Sequence, residues 1–296
     1  MTAEQKTNNT NHMSGITQLF PQHAEALNLQ GLYLSQELQH PGRERPFVYS
    51  NFVSSLDGRI ALPAPGRNTH QVPAAIANPR DWRLYQELGA QADLLLTSAR
   101  YYRQFALGEA QDTLPVGMEE RFADLRQWRI EQGLKPQPDL AIASASLDIP
   151  ARALAAYRNR QIHVLTGSDS PPDKRRHLEQ LGIKVHLAGE GLSADGRQMV
   201  DIMGQAGYRS IYVIAGPSLL YSLLQDARLD RLYLTLAHCI LGGEDFDTIS
   251  WGSELRPPQK LRLRSLYYDS ATPADCGQLL ASYDCLTTER LTQAGA

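Results

Sequence analysis

The segment of this chain best suited to hold an anion is Ile211-Tyr212-Val213-Ile214-Ala215-Gly216-Pro217-Ser218-Leu219-Leu220. Its β-branched, apolar run breaks at Gly216-Pro217-Ser218 and resumes at helical spacing through Leu224, which predicts a strand, a tight turn and a helix. Gly216 has no Cβ to block an approaching group, and Pro217 suits the first helical position. The N–H groups of the first helical turn attract negative charge. A phosphate-bearing cofactor is the ligand such a turn would serve, and plain helix initiation by Gly-Pro is the other reading of the same residues.

A second strand-to-turn segment comes earlier: Arg45-Pro46-Phe47-Val48-Tyr49-Ser50-Asn51-Phe52-Val53-Ser54-Ser55-Leu56-Asp57-Gly58-Arg59-Ile60-Ala61. Asp57-Gly58 after an apolar strand is a common turn in which the carboxylate accepts from nearby backbone N–H groups. His70, His163, His186 and His238 are scattered without metal-ligand spacing, so no metal is expected. Cys239, Cys276 and Cys285 form no Cys-x-x-Cys pair and are too few for a disulfide framework. Glu119-Glu120-Arg121 and Asp173-Lys174-Arg175-Arg176 read as solvated helix surfaces.

The elements that must position these residues alternate from Arg45 onward. Strands are expected at about 46–53, 92–98, 139–144, 162–166, 183–187, 210–215, 230–240, 259–269 and 280–286, and helices at about 79–91, 118–132, 150–157, 172–181, 195–206 and 217–227. Such alternation builds a sheet covered on both faces, while the final strands, which follow one another without helices, call for an antiparallel part. Residues 1–14 are polar and are expected to form a disordered tail. Residues 15–44, with Leu19, Leu27, Leu29, Leu32, Leu34 and Leu38, are expected to form a helical N-terminal extension closed by Pro41-Gly42, leaving 45–290 as the main domain. Loops 62–78 and 104–117 are long, and the first, directly after Asp57-Gly58, is either a cover for substrate or a surface connection.

Composition narrows the class. The chain has 296 residues, 42% hydrophobic and 21% charged, with a net charge of −3. It has no basic run with interleaved aromatics, so nucleic acid is not an expected partner. No apolar stretch nears the roughly 20 residues that span a bilayer, and the polar start is unlike a secretory signal, so neither a membrane nor export is expected and a cytoplasmic location is.

Taken together, the Ser-Leu-Asp-Gly motif, the strand Ala92-Asp93-Leu94-Leu95-Leu96-Thr97-Ser98, the Ala-Gly-Pro-Ser turn and Arg228-Leu229-Asp230-Arg231-Leu232-Tyr233-Leu234-Thr235 with Leu241-Gly242-Gly243 resemble, in that order, the reductase domain of riboflavin biosynthesis. The resemblance spans roughly residues 45–285 and implies an α/β, dihydrofolate reductase-like three-layer fold whose central sheet is mixed, mostly parallel, with an antiparallel C-terminal part. It also implies an NADPH-dependent oxidoreductase, a small-molecule substrate and a homodimer. The pyrophosphate would lie on Ala215, Gly216, Pro217, Ser218 and Leu219, with further cofactor contacts from Ser54, Thr97, Ser98 and Arg100. Arg100 and Arg103 could read a 2′-phosphate. Ser144 and Thr166 end strands where related reductases contact the adenosine half. Asp57 would stand beside the nicotinamide pocket, able to orient a ring N–H or relay a proton.

Three positions depart from that family. Asn51 replaces a usual Lys and Ile214 a usual Glu, both of which would face the pyrimidine or its ribose, and Gly89 replaces a usual Arg. The implied reaction is reduction of the ribosyl group of 5-amino-6-(5-phosphoribosylamino)uracil to a ribityl group through its C1′ imine. The departures favour a pterin- or dihydrofolate-like acceptor as the rival, and a non-catalytic NADP-binding protein is the third reading. The zinc deaminase signature, His-x-Glu with a later Pro-Cys-x-x-Cys, does not occur, so deamination is expected on another chain.

Overall fold

The computed structural model describes residues 15–39, 44–67, 69–110 and 114–286. The expected tail at 1–14, Pro41-Gly42, parts of both long loops and residues 287–290 lie outside the described residues. The strands are β1 (Ile16–Phe20), β2 (Ala24–Leu27), β3 (Phe47–Ser55), β4 (Leu62–Pro63), β5 (His70–Gln71), β6 (Leu94–Ser98), β7 (Asp139–Ala143), β8 (Ile162–Thr166), β9 (Lys184–Leu187), β10 (Ser210–Val213), β11 (Arg231–Ala237), β12 (Leu261–Asp269) and β13 (Gln278–Cys285). The helices are α1 (Pro79–Gln91), α2 (Ala99–Leu107), α3 (Ala123–Glu131), α4 (Ala151–Ala155), α5 (Pro172–Gln180), α6 (Gly196–Gln205) and α7 (Pro217–Gln225).

Eleven of these strands form one sheet in the order β2-β1-β12-β13-β11-β3-β10-β6-β7-β8-β9. From β11 to β9 every pairing is parallel, and from β11 to β2 every pairing is antiparallel. Strand periodicity divides the core into two. Phe47, Tyr49, Leu95, Leu140, Ile142, Val164 and Tyr212 face α1, α2 and α4, whereas Val48, Leu94, Leu96, Ala141, Leu165, Ile211 and Val213 face α6 and α7. Side chains alternate between the faces of a strand, so each run that is apolar at every position has to be covered twice. The mixed three-layer arrangement expected from the sequence is therefore present.

Two local expectations differ. The leucine-bearing segment at 15–44 contains no α-helix among its described residues: β1 pairs antiparallel with β12, β2 pairs with β1, and only Leu34–Gln36 makes a 3₁₀ turn. Pairing with a strand some 250 residues away decides this, and local spacing cannot report it. Residues 29–38 are instead clamped to α1. The Glu87 carboxylate accepts from the N–H groups of Gly31, Tyr33 and Leu34, and Gln91 accepts from Leu38 and donates to the Tyr33 carbonyl. The second difference is α2, which occupies the start of the stretch read as loop 104–117. It ends at Gly108, whose φ of 72° is the left-handed conformation that suits a glycine C-cap.

Candidate active site

The cleft lies where the parallel strands change the side on which they connect. β3 leads through α1 to β6, and β6 leads into α2, both on one face. β10 returns between β3 and β6 and leads through α7 on the other face. Connections that diverge to opposite faces leave a crevice at the carboxyl ends of the strands, the usual ligand position in such sheets. A cavity of about 700 Å³ occupies this crevice, lined by Asn51 and Val53 from β3, Thr97 and Ser98 from β6, and Ile214, Ala215, Gly216 and Pro217 after β10.

The turns after β6 and β10 lie side by side, joined by the Ile214 N–H donating to the Leu96 carbonyl at 2.9 Å. Each starts a nine-residue helix, α2 with Ser98 and α7 with Gly216 at the N-cap, and neither N-cap makes a side-chain capping bond. In α7, Pro217 has no N–H and Leu219 already donates to the Gly216 carbonyl, so Gly216 and Ser218 supply the donors at this turn. Gly216 has φ −69° and ψ 178°, extended backbone open to any residue. A Cβ built on it would meet nothing within 4 Å. The glycine is thus required neither by its own conformation nor by a protein neighbour. What its absent side chain keeps open is space beside the cleft. These residues fit a phosphate-bearing cofactor: N–H donors at two helix N-termini, a cradle that a side chain would fill, and Arg100 on the cleft wall.

The deeper part of the cleft is walled by α1. Asn78 caps this helix, its side chain accepting from Arg80 and Asp81 N–H groups. Asp81, Trp82 and Tyr85 then face the cavity, with the two rings stacked 4.7 Å apart. Tyr212, fully buried, donates its hydroxyl to Asn51 Oδ1, which turns the Asn51 amide into a donor toward the cavity. Burial holds the Tyr212 phenol well above its ordinary range, so it remains a donor. Asp81 is buried and accepts the Thr235 hydroxyl at 2.6 Å. Burial pushes its carboxyl up to about 6, the Thr235 bond restraining the rise.

The candidate residues named from sequence separate into two groups. Asn51, Thr97, Ser98, Arg100, Ile214, Ala215, Gly216 and Pro217 come together on the cleft. Ser54, Asp57, Ser144, Thr166, Ser218 and Leu219 are not among its lining residues. Ser54 is buried and donates to the Ser55 carbonyl. The Asp57 carboxylate is committed to its turn: it accepts the Gly242 N–H at 2.8 Å and the Leu241 N–H at 3.3 Å, and it pairs with Arg59 at 2.9 Å. Bonds from Ser55 and the Gly242 N–H hold it down at about 2. Ser144 Oγ accepts from the Leu147 N–H and shapes the turn after β7. Thr166 is fully buried at the end of β8, and its Oγ1 has no partner among the described residues. Ser218 is exposed on the first turn of α7, Leu219 packs on the core face of α6 and α7, and Arg103 on α2 donates to the Asp148 carbonyl.

The sequence reading missed Asp81, Trp82 and Tyr85. An acid in a first helical turn is ordinary dipole complementation, so its type and position drew no notice. His70 also lines the cleft, its two ring nitrogens each 3.1 Å from a carboxylate, of Asp245 and of Asp247, which ties the β4–β5 hairpin to that loop. Gly89, where the resembled family usually has Arg, has a packing reason: a Cβ there would stand 2.6 Å from Pro115 Cβ.

Comparison with known proteins follows the same geometry. A sequence model of the RibD C-terminal domain matches residues 46–271. A pyrimidine reductase-like protein from Corynebacterium diphtheriae superposes with a TM-score of 0.57 at 17% identity, covering 82% of this chain and 92% of that one. RibD from Acinetobacter baumannii superposes at 0.56 and 17% identity, covering 82% and 58%. The Thermotoga maritima diaminohydroxyphosphoribosylaminopyrimidine deaminase/5-amino-6-(5-phosphoribosylamino)uracil reductase gives 0.51 and 16%, covering 82% and 57%. This chain therefore spans somewhat over half the length of the last two proteins, and at these identities the likeness is one of fold. The family model covers well over half of the chain, from just before β3 through β12, and so includes every cleft residue named above: the chain belongs to the RibD C-terminal domain family.

Proposed function

We propose that the chain is an NADPH-dependent reductase of the riboflavin pathway, acting on 5-amino-6-(5-phosphoribosylamino)uracil or a close relative. The observation that carries this reading is the paired turn at the switch point, where Gly216 leaves a cradle beside two helix N-termini on a cavity of about 700 Å³. A bound nicotinamide supplies the hydride. The chain's own part is to hold and orient. The N–H groups of Gly216 and Ser218 and of the first turn of α2 bind phosphate oxygens, and Arg100 favours a cofactor with a 2′-phosphate. Thr97 and Ser98 at the end of β6 belong to the same proposed cofactor half, Ser54, Ser144 and Thr166 act only by shaping the strand ends behind it, and Asp57 acts on the substrate only through the loop it fixes. The stacked Trp82 and Tyr85 exclude water beside the acceptor, and the Asn51 amide, oriented by Tyr212, donates to it.

A second reading has its own support. Ile214 presents an apolar wall where a charged sugar contact would be expected, and Pro115 fills the space an arginine at position 89 would need. Both features suit a flatter, less anionic acceptor of the pterin or dihydrofolate kind. We further propose that the protein is a cytoplasmic homodimer; among the described residues no helix is long and apolar enough to cross a membrane.

The test is NADPH oxidation by the purified protein with authentic 5-amino-6-(5-phosphoribosylamino)uracil and, separately, 7,8-dihydrofolate. Turnover of the first supports the riboflavin step, and turnover of the second alone moves the assignment to the pterin-like acceptor. NADPH binding with no turnover of either supports a non-catalytic NADP-binding role.

A further inference from the structure

The cleft opens at the carboxyl ends of the parallel strands. A second cavity, of about 720 Å³, lies at their amino ends and shares no lining residue with the first. Its walls come from the turns that enter β7, β8 and β9 and from α4. Ala151, Leu154, Ile162, Leu181 and Ile183 give it an apolar surface, and Leu181 is 47% exposed. Every charged residue among the described residues lining it is a cation: Lys135, Arg158 and Arg160.

These cations are unequally compensated. Lys135 pairs with Asp139, whose carboxylate also accepts from the Gln161 N–H and the Tyr208 hydroxyl. Arg160 donates to neutral acceptors: the carbonyls of Leu114 and Pro115, at 3.3 and 3.0 Å, and Gln137 Oε1 at 2.6 Å. Its Nε is buried and has no partner among the described residues. Arg158 donates Nε to the Ala155 carbonyl at 3.2 Å, and its Nη groups donate to no described residue. Next to Lys135, Arg129 is fully buried and donates to the carbonyls of Ala90, Ala92 and Lys135, burial bringing its guanidinium down to about 10. Carbonyls fix a guanidinium without cancelling its charge. Once Lys135 and Asp139 offset each other, Arg158 and Arg160 are left as two uncompensated cations on the groove. The backbone acceptors nearby are occupied: at the end of α5 the carbonyls of His177, Leu178 and Glu179 accept from Leu181, Ile183 and Gly182, and that of Leu154 in α4 accepts from Tyr157.

We propose that this groove binds a phosphate monoester carried on an apolar ring, at a site separate from the cofactor cleft. A phosphate monoester has close to two negative charges near neutral pH, which matches the two uncompensated guanidinium groups. Its oxygens take the open fork of Arg158, a planar donor pair suited to phosphate. Arg160 acts as a fixed charge, its guanidinium already oriented by the Leu114-Pro115 carbonyls. The ring covers Leu154, Ile162, Leu181 and Ile183, removing apolar surface from water. The volume is within the range of small-molecule sites and would admit a ligand of mononucleotide size. None of this depends on the reductase reading.

The experiment is a fluorescence titration with 1-naphthyl phosphate in wild type, Arg158→Ala, Leu181→Glu and Gly216→Val, with 1-naphthol and inorganic phosphate supplying the ring and the anion separately. The ester is expected to bind wild type with a Kd below about 1 mM, and each separated half at least about tenfold more weakly. Arg158→Ala should weaken the ester about three- to tenfold, the effect of an exposed charge-assisted contact, and Leu181→Glu, which sets an acid on the apolar rim, by at least as much. Both positions are exposed, so both variants should keep the wild-type thermal midpoint to within about 2 °C. Gly216→Val alters the cleft and should leave this site intact. Inorganic phosphate binding as tightly as the ester would overturn the proposal. So would ester bound only at a site that Gly216→Val removes and the two groove variants keep. A wild-type dimer that Leu181→Glu splits in sedimentation would also overturn it, because a second copy would then cover the groove.

Discussion

Replacing Gly216 separates the cofactor from the fold. Its backbone, at φ −69° and ψ 178°, is available to every residue type and matches the extended region that a following proline favours. A Cβ there meets no protein atom within 4 Å. Gly216→Ala should therefore stabilise the protein by about 0.4–1 kcal/mol, since the unfolded chain loses conformational freedom and the folded chain acquires no clash. Gly216→Val should be no less stable than wild type by more than about 0.5 kcal/mol, as for other substitutions that disturb no contact. The phosphate proposed to lie on this turn would be displaced by the added methyl groups. Losing one charge-assisted hydrogen bond costs about 1.5–3 kcal/mol, which weakens NADPH binding roughly tenfold to more than a hundredfold. Urea denaturation and fluorescence titration with NADPH, run on the same preparations, read the two quantities. Unchanged NADPH affinity in a folded Gly216→Val protein would refute the placement of the phosphate. Equal losses in stability and affinity would refute the claim that the glycine is there for a ligand.

Two further perturbations test the scaffold. Arg80→Met leaves Asp269, fully buried, without its cation; denaturant unfolding should show a loss of about 3 kcal/mol, the low end for a broken buried pair because Gln278 still donates to it. A loss under about 1 kcal/mol would show that the pair is not what holds α1 to β12. His163, hydrogen-bonded to His186 and to Tyr208, has its imidazole held down at about 4 by burial and the neighbouring His186, against an ordinary 6.5. The unfolded chain takes up this proton first as pH falls, so the contribution is complete above about pH 6.5 and is lost between there and about 4. The gap sets an upper bound of about 3.4 kcal/mol, and solvent screening reduces the expected loss to roughly 2 kcal/mol. His163→Asn should flatten the decline in stability between pH 7 and pH 4.5, and an unaltered slope would assign the acid sensitivity to other groups.

Much of this protein was open to local reasoning because its parallel strands are buried on both faces. Continuous apolar runs such as Leu94-Leu95-Leu96 and Ile211-Tyr212-Val213 mark themselves in any window of sequence, and Asn78-Pro79 and Gly216-Pro217 announce the helices that follow them. Those same signals place residues at the carboxyl ends of strands, which is why Thr97, Ser98 and the Gly216 turn could be named before any coordinates. Tertiary structure decided what depends on distant partners. The segment around Ile16 becomes a strand because β12 offers it an edge, and α1 carries Asp81 to Thr235 on β11, a contact across 154 positions of chain. It also fixed the meaning of single residues: Asp57 is absorbed by the N–H groups of Leu241 and Gly242, while Asp81, unremarkable in a first helical turn, is left facing the cleft without a cation. Burial and the absence of a counter-charge are properties of the assembled molecule, and on these the chemistry of a carboxyl group depends.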